Sequence, residues 1–287
     1  MTHLLLEGLQ GRYEVEAMCV TETGIAPIEL METEQVPQLW SLTDEDHQQQ
    51  PVYGDSLREV IQRWCKQEIS DGLALLQKSH PQPYEFRSTQ RTTWASEITE
   101  TTGVVIARFK YTKEASRWFS MLNAVTSQQH EASINNYLTD VLPYANHHHR
   151  WWMPLTLRHQ PFKPTPIQLG RLSLKADRQP PPPELWWEIS SSSNAEHVIA
   201  EFRIATMAKA FSAAQLYRLT ATYRELSPGA TVAIKGGQSQ ATVVETPLLN
   251  QLAPSSMIKV RFKPNEVTQV EAQKLTWVMP NQSAANS

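Results

Sequence analysis

The sequence predicts an α+β protein in which a mixed helix-and-strand region precedes a mostly antiparallel β region. In the first half, alternating strand patterns are interspersed with segments whose apolar residues recur at helical spacing, as in 57–76 and 115–125. In the second half, short alternating segments are separated by Gly, Ser and Pro, which favour turns. With 287 residues, the chain is long enough for at least two domains.

The elements of the first half follow in order from these patterns. Alternation over 12–20 predicts a strand, and Asp55-Ser56 are plausible N-caps for a helix that begins there. Strands are predicted at 84–90 and 103–111. Thr112 is predicted to cap the clearest amphipathic helix, and a further helix is predicted around 134–141.

The second half is predicted to consist of strands with one helix at 209–225. In the strand 258–263, Ile258, Val260 and Phe262 should face one way, whereas Lys259, Arg261 and Lys263 should face the other. The remaining predicted strands are 151–157, 167–176, 185–190, 197–206, 231–235, 240–245 and 274–278. No internal repeat is predicted, because the Trp151-Trp152 and Trp186-Trp187 pairs look like strand starts.

Composition divides the chain into four predicted parts. Residues 1–146 are expected to form an α+β domain with an acidic N-terminal region, and 147–183 a basic, aromatic and proline-rich connector that contains strands. Residues 184–280 are expected to form a mostly β domain with one helix, followed by a frayed tail at 281–287.

The segment 103–123 resembles the third strand and second helix of an RNA-recognition motif. The resemblance rests on Gly103 through Tyr111 and on the helix that follows, and it implies a ferredoxin-like fold for the N-terminal domain. The predicted helix at 56–71 and strand at 84–90 fall where that family has its first helix and second strand. Val104 and Ile106 stand where the family has RNA-stacking aromatics, so no RNA-binding residue is assigned to this domain.

The segment 229–278 resembles a small SH3-like or KOW-type barrel. As an alternative, strands within 167–206, the helix at 209–225 and strands at 231–245 are similar in order to an OB-fold. Members of these families bind nucleic acids or proteins, so the resemblance leaves both kinds of partner open.

Charge is distributed unevenly along the chain. Residues 1–149 carry 11 basic and 20 acidic side chains, whereas 150–287 carry 15 basic and 9 acidic ones. A chain with opposite poles can present its basic part to an anionic partner, and its acidic part can face a basic partner.

The usual signatures of catalysis are missing. The sequence contains no GxSxG, Walker A, GxGxxG, HExxH or CxxC motif, so no cofactor is expected and an enzymatic role is not favoured. Cys19 and Cys65 are interpreted as buried thiols of a cytoplasmic protein. His147, His149 and His159 are a weak metal-site candidate, since adjacent histidines rarely converge on one ion.

Interleaved cations and aromatic rings suggest a binding surface for single-stranded nucleic acid. Cations follow phosphates and rings stack on bases, although Trp151 and Trp152 could equally be core residues of a strand. The candidate nucleic-acid-binding residues are Arg150, Trp151, Trp152, Arg158, Lys163, Lys235, Lys259, Arg261 and Lys263.

The leading hypothesis is therefore a non-catalytic accessory subunit that binds single-stranded nucleic acid or belongs to a ribonucleoprotein. The alternative is a protein-binding assembly factor or a structural subunit of a larger complex, for which the tryptophans would be interface anchors. A membrane partner is not expected, because no stretch of about 18 apolar residues is present.

Overall fold

The computed structural model describes fourteen segments of the chain, within which every strand pairing is antiparallel. The mixed α+β class is therefore confirmed. The described residues are 3–21, 24–27, 39–44, 50–80, 83–89, 93–124, 127–139, 162–169, 184–190, 198–222, 228–234, 239–245, 257–264 and 266–277.

The elements fall into three consecutive groups, each built on one sheet. The first comprises β1 (His3–Glu7), β2 (Arg12–Thr21), β3 (Gly24–Pro27), β4 (Leu39–Asp44), β5 (Val52–Gly54) and α1 (Leu57–Ser79). The second comprises β6 (Tyr84–Ser88), β7 (Ser96–Glu100), β8 (Val105–Phe109), α2 (Thr112–Leu122), α3 (Ser127–Thr139), β9 (Pro164–Leu169), β10 (Glu184–Ser190), β11 (Val198–Phe202) and α4 (Ala205–Thr222). The third comprises β12 (Thr231–Ile234), β13 (Gln240–Glu245), β14 (Met257–Lys263), β15 (Glu266–Glu271), a 3₁₀ turn (Ala272–Lys274) and β16 (Leu275–Trp277).

The first sheet has the strand order β1-β2-β4-β5, with β3 also paired to β2, and α1 packs on one of its faces. Val15 of β2 is fully buried on that face, and the Tyr13 ring meets Trp64 of α1 edge-on at 6.0 Å between centroids. Ser56 caps α1 as predicted, because its Oγ accepts the Glu59 N–H at 3.1 Å.

The turn between β1 and β2 is held by charged side chains from two helices. Glu68 of α1 accepts the Leu9 N–H at 2.6 Å, and Lys209 of α4 donates from Nζ to the Gly8 carbonyl oxygen at 2.9 Å. Burial raises the pKa of the Glu68 carboxyl, although the hydrogen bond from Leu9 acts in the opposite direction. Lys209 and Gly8 are 201 positions apart, so α4 helps to fix the N-terminal sheet.

Helix α4 lies between α1 and the second sheet, and most of its described side chains are buried. Phe211 contacts the rings of Phe109 and Phe202 in the sheet, at 5.6 and 5.0 Å between centroids. On the opposite side, a Cβ added at Gly72 of α1 would lie only 2.8 Å from the Ala210 Cβ. Because the two helix backbones approach this closely, small residues are required at their contact.

The second sheet has the strand order β6-β7-β8-β11-β10-β9 and consists of two similar units. The first unit is β6, β7, β8 and α2; the second is β9, β10, β11 and α4. The units meet where β8 pairs with β11, with Arg108 opposite Glu201 and with Ala107 and Phe109 opposite Phe202 and Ala200. This register relates the two units by an approximate two-fold axis that passes through the Arg108–Glu201 pair.

The internal repeat was not predicted from the sequence, yet its central strands read VIARF at 105–109 and VIAEF at 198–202. Outside these strands the similarity is slight. Helix α2 has 11 residues and α4 has 18, and the outer strands β6 and β9 differ almost throughout. Four identical residues in two five-residue strands are by themselves too few to distinguish a repeat from ordinary strand composition.

The third sheet has the strand order β15-β14-β13-β12-β16 and a hydrophobic core of its own. The predicted alternation in β14 is confirmed. Ile258 and Val260 are completely buried and Phe262 packs against the core, whereas the intervening cations point away from it. The described strands form an antiparallel sheet that is not closed into a barrel.

Two detailed expectations differ from the observed topology. A ferredoxin-like sheet would place 12–20 beside 103–111, but β2 lies in the first sheet and β8 in the second. The OB-like alternative would combine 198–202 with 231–245, but β11 lies in the second sheet and β12 and β13 in the third. Several local elements were predicted correctly, but strands β1, β7 and β15 were missed, and α4 begins at Ala205, inside the strand predicted at 197–206. The N-cap of α2 is Tyr111 rather than the predicted Thr112. Pairing between distant strands is not encoded in local periodicity.

The division expected at residue 184 also separates elements that the structure joins. β10, β11 and α4 belong to the same sheet and hydrophobic core as β6, β7 and β8, and this core includes Leu6 and Leu219. Val232 is the first residue of the second core. Residues 184–222 therefore pack with the N-terminal part of the chain.

Candidate functional site

The structure describes four of the nine residues predicted to bind nucleic acid, namely Lys163, Lys259, Arg261 and Lys263. The other five, Arg150, Trp151, Trp152, Arg158 and Lys235, lie outside the described residues, as do the metal candidates His147, His149 and His159.

Lys163 lies just before β9 and pairs with the first sheet. Its Nζ is 2.6 Å from Glu7 Oε1 of β1. The neighbouring Phe162 is buried, and its carbonyl oxygen accepts a hydrogen bond from Ser212 Oγ of α4. Lys163 thus belongs to the contact between the first and second sheets, and its charge is offset there by Glu7.

Lys259, Arg261 and Lys263 lie together on the outer face of the third sheet, as alternation along β14 predicts. Two of the three are ion-paired, Lys259 Nζ with Glu245 Oε2 at 2.5 Å and Lys263 Nζ with Glu266 Oε2 at 3.7 Å. Arg261 is exposed. The face is therefore lined with cations, but its positive charge is reduced by the two glutamates.

Two apolar side chains lie on the same face. Met257 of β14 is 45% exposed, and Val267 of β15, directly opposite Arg261, is 49% exposed. We call the face formed by Met257, Lys259, Arg261, Lys263 and Val267 the β14–β15 surface. It combines exposed apolar groups with largely compensated charge.

A second group of charged residues runs across the middle of the second sheet. The pairing register aligns Glu97, Arg108, Glu201 and Glu188 on neighbouring strands, so their side chains share one face. Arg108 Nε is 3.5 Å from Glu97 Oε1, and the guanidinium lies 4.7 Å from the centre of the Trp186 ring. We call these four residues the central row.

Glu201 is the most unusual member of the central row. The residue is 7% exposed, and burial raises the pKa of its carboxyl above the ordinary value. The nearby Arg108 lowers the pKa of Glu201, whereas Glu188 raises it. The sheet therefore holds a largely buried carboxylate next to a second carboxylate.

A third polar cluster lies inside the protein where α2, α3 and α4 meet. Glu114 Oε1 accepts hydrogen bonds from Arg218 Nη1 at 2.6 Å, from Gln215 Nε2 at 3.1 Å and from the Tyr137 hydroxyl. The Arg218 guanidinium also lies 4.6 Å from the centre of the Tyr137 ring. All four residues are at most 3% exposed, so this cluster joins helices rather than contacting a partner.

Sequence reasoning missed the central row. No single position signals it, since Arg108 and Glu201 look like ordinary outward-facing residues of two strands. The signal that could have identified them is the similarity of VIARF and VIAEF, in which the central residue changes from Arg to Glu.

The predictions about cysteine, metal sites and membrane spans concern other parts of the described chain. Cys65 is a free, buried thiol, as predicted, and burial raises its pKa. Among the described residues, no group of three or more His, Cys, Asp or Glu side chains is arranged to hold a metal ion. None of the described helices has the length and apolar character needed to span a membrane.

No family model, curated protein or solved structure matches this chain.

Proposed function

We propose that the protein is a non-catalytic interaction subunit, either an assembly factor or a structural component of a larger complex, that contacts a protein partner through the β14–β15 surface. The observation that carries this proposal is the exposure of Met257 and Val267 beside cations that are already paired with glutamates.

The chemistry of the β14–β15 surface suits a protein better than a polyanion. Protein interfaces are enriched in Met and Arg, and their apolar centre is surrounded by polar groups. Here Met257 and Val267 would supply apolar contact, while Arg261 can donate several hydrogen bonds to carbonyl or carboxylate groups. The pairs Lys259–Glu245 and Lys263–Glu266 would lie at the rim.

The strand order of the third sheet supports the same proposal. The order β15-β14-β13-β12-β16, with a 3₁₀ turn before the last strand, is compatible with an SH3-like small domain. We infer that this region is an SH3-like module, a kind of domain that commonly serves as a binding unit.

A variant-dependent binding experiment tests the proposal. The tagged full-length chain and the double variant Met257→Ser/Val267→Ser would be used to isolate interacting proteins, and any recovered protein would then be purified and titrated directly. We expect at least about tenfold weaker binding for the double variant, which corresponds to about 1.4 kcal/mol.

The matched control is Leu75→Ser/Leu185→Ser. These two residues are 48% and 52% exposed but lie on α1 and β10, outside the third sheet. The control should bind like the wild type, and circular dichroism should show that both variants remain folded. Equal binding by the wild type and the Met257/Val267 variant, or no direct binding by any recovered protein, would contradict the proposal.

Single-stranded nucleic acid is the second candidate partner, favoured by the position of Lys259, Arg261 and Lys263 on one face. Alternate residues of a strand are about 6.8 Å apart, so the three cations form a linear array that a phosphate backbone could follow. Exposed ion pairs contribute only about 0–1 kcal/mol, so phosphates could displace Glu245 and Glu266.

Fluorescence anisotropy with labelled single-stranded RNA and DNA separates this candidate from the first. If three phosphates are contacted, affinity should fall about twentyfold between 50 and 200 mM salt. Changing Lys259, Arg261 and Lys263 to Ser should abolish binding. Changing the exposed Lys66, Lys78 and Lys113 to Ser alters the net charge equally and should have little effect. Salt-independent affinity would rule out this candidate.

A further inference from the structure

The approximate two-fold axis of the second sheet relates two pairs of residues with different chemistry. In the first unit, Glu97 of β7 stands opposite Arg108 of β8, and the two form an ion pair at 3.5 Å. The equivalent positions of the second unit are Glu188 of β10 and Glu201 of β11, which also stand directly opposite each other. The second unit thus has two carboxylates where the first has a carboxylate and a guanidinium.

Among the described residues, neither carboxylate of the second unit is ion-paired, although Arg108 and Lys110 lower the pKa of Glu201. Within the part of the chain that the structure describes, Glu188 and Glu201 make no hydrogen bond and no ion pair. Directly opposed residues of an antiparallel pair have Cβ atoms about 5 Å apart, so the two like charges repel. Glu201 is only 7% exposed, and its removal from water adds to the free-energy cost of keeping two like charges close together.

The nearby cations are already engaged with other groups. Arg108 faces Glu201 across the two-fold axis, but it is ion-paired with Glu97 and stacks on the Trp186 ring. Lys110 is close enough to lower the pKa of Glu201, and its Nζ lies 6.0 Å from the centre of the Trp94 ring. The four residues of the central row thus comprise three carboxylates and one guanidinium. Arg87 stands opposite Glu97 on the far side of the row, but its guanidinium is ion-paired with Glu85 at 2.9 Å.

We propose that Glu188 and Glu201 form an acceptor site for an arginine side chain in a basic segment of a partner protein. A guanidinium is planar and carries five N–H donors, so it can bridge two neighbouring carboxylates. Its binding would reproduce in the second unit the Glu–Arg contact that Glu97 and Arg108 make in the first. An ammonium group lacks this fork geometry and should bind less well.

The site is independent of the proposed role of the third sheet. Glu188 and Glu201 belong to the sheet built from β6–β11, whereas the β14–β15 surface belongs to a sheet with a separate core. A variant that abolishes binding at one location should therefore leave the other unchanged. The two proposals can fail separately.

The experiment is a titration of the full-length protein with short fluorescent Gly-Ser peptides that carry Arg, Lys or Gln at the same positions. Salt-sensitive binding is expected for the arginine peptide, with affinity at least tenfold lower for the lysine peptide and no binding of the glutamine peptide. Glu188→Gln and Glu201→Gln should each weaken arginine-peptide binding at least tenfold. Both changes keep the size of the side chain and remove a repelling charge, so both variants should fold.

Glu85→Gln is the matched control, because Glu85 is an exposed glutamate on β6 of the same sheet. It changes the net charge equally and should leave peptide binding unaltered. Four outcomes would overturn the proposal: no binding of the arginine peptide, unchanged binding by both site variants, equal affinity for the lysine peptide, or equal weakening by Glu85→Gln. Calcium or magnesium binding at Glu188 and Glu201 in the absence of any peptide binding would also overturn it.

Discussion

The first and second units of the second sheet share a central strand sequence and a pairing register, but they differ in what covers their helices. Helix α2 of the first unit has one buried side and one exposed side, whereas α4 of the second unit is enclosed by the sheet and α1. The sequence of α4 changes accordingly. Small and apolar residues make up most of α4, and its polar residues Ser212, Gln215 and Arg218 are buried.

The same strand-and-helix arrangement thus supports both a shared core and a different charge pattern in each unit. Trp118 of α2 and Phe211 of α4 follow their strands at the same distance, and their rings touch each other at 5.1 Å between centroids. The shared positions thus build a common core. The positions that differ, such as Arg108 against Glu201, give each unit its own electrostatic character.

The largest expected loss of stability comes from truncating either ring of the aromatic pair, Trp118 and Phe211, that joins the units. Trp118 is completely buried and contacts Phe211 and Tyr137. We expect Trp118→Ala and Phe211→Ala each to lower the free energy of unfolding by about 3–5 kcal/mol, with Trp118→Ala toward the upper end. Urea denaturation measures both. Leu75→Ala on the exposed side of α1 should cost less than about 0.5 kcal/mol. Similar losses at all three positions would refute the shared core.

The two units also differ in a buried charge: Glu114 in α2 is a buried carboxylate, whereas the equivalent position in α4 is Met207. Glu114→Met should leave Arg218 buried without its carboxylate and lower the free energy of unfolding by about 3 kcal/mol. The double variant Glu114→Met/Arg218→Met should recover most of this loss, as measured by urea denaturation. If the double variant were less stable than Glu114→Met, the ion pair would not account for the effect.

The close approach of α1 and α4 has no counterpart at α2. Alanine favours a helix by about 1 kcal/mol over glycine, yet Gly72→Ala should lower stability by about 1–2 kcal/mol because its Cβ would collide with Ala210. Exchanging the two residues, as Gly72→Ala/Ala210→Gly, should restore a melting temperature near that of the wild type. An increase in stability for Gly72→Ala alone would show that the helices can separate without cost.

The smallest expected effect is on how the stability of the folded protein depends on pH, through Glu201 of the second unit. Because the pKa of Glu201 is raised in the folded protein, the folded state binds a proton more tightly than the unfolded state. The contribution of Glu201 to stability is therefore complete below its unfolded pKa and is lost as the pH rises through its folded pKa. Glu201→Gln should remove this component and raise stability at neutral pH by about 0.2–1 kcal/mol.

Melting temperatures measured at several pH values for the wild type and Glu201→Gln test this expectation. Glu68 also has a raised pKa and should give both proteins a shared residual dependence on pH. If the two pH profiles were parallel, the like-charge contact between Glu188 and Glu201 would be negligible.

The sequence predicted local structure far better than long-range pairing. The cap at Ser56, the amphipathic helix after 112 and the alternation in β14 depend on neighbouring residues, and all three agree with the structure. The joining of β8 to β11 depends on contacts between residues far apart in the chain, which periodicity does not record.

The candidate sites show the same limit: the face on which a residue lies could be predicted, but its partners on other strands could not. Lys259, Arg261 and Lys263 could be placed on one face from alternation alone, but their glutamate neighbours come from other strands or from beyond the end of β14. The opposition of Glu188 and Glu201 follows from the register of β10 and β11. Register was the missing information for Lys259 and for the two carboxylates, whereas Glu266 lies at i+3 from Lys263 in the sequence.

The hydrogen bond from Lys209 to Gly8 has a consequence for how the chain folds during synthesis. The N-terminal hairpin leaves the ribosome about 200 residues before the helix that holds its turn, and at about 5–20 residues per second this takes about 10–40 seconds. For roughly the second half of that interval, β8 has been synthesised but still lacks its partner β11. The nascent chain therefore exposes an unpaired strand edge, and it should depend on chaperones more than a protein whose contacts are local.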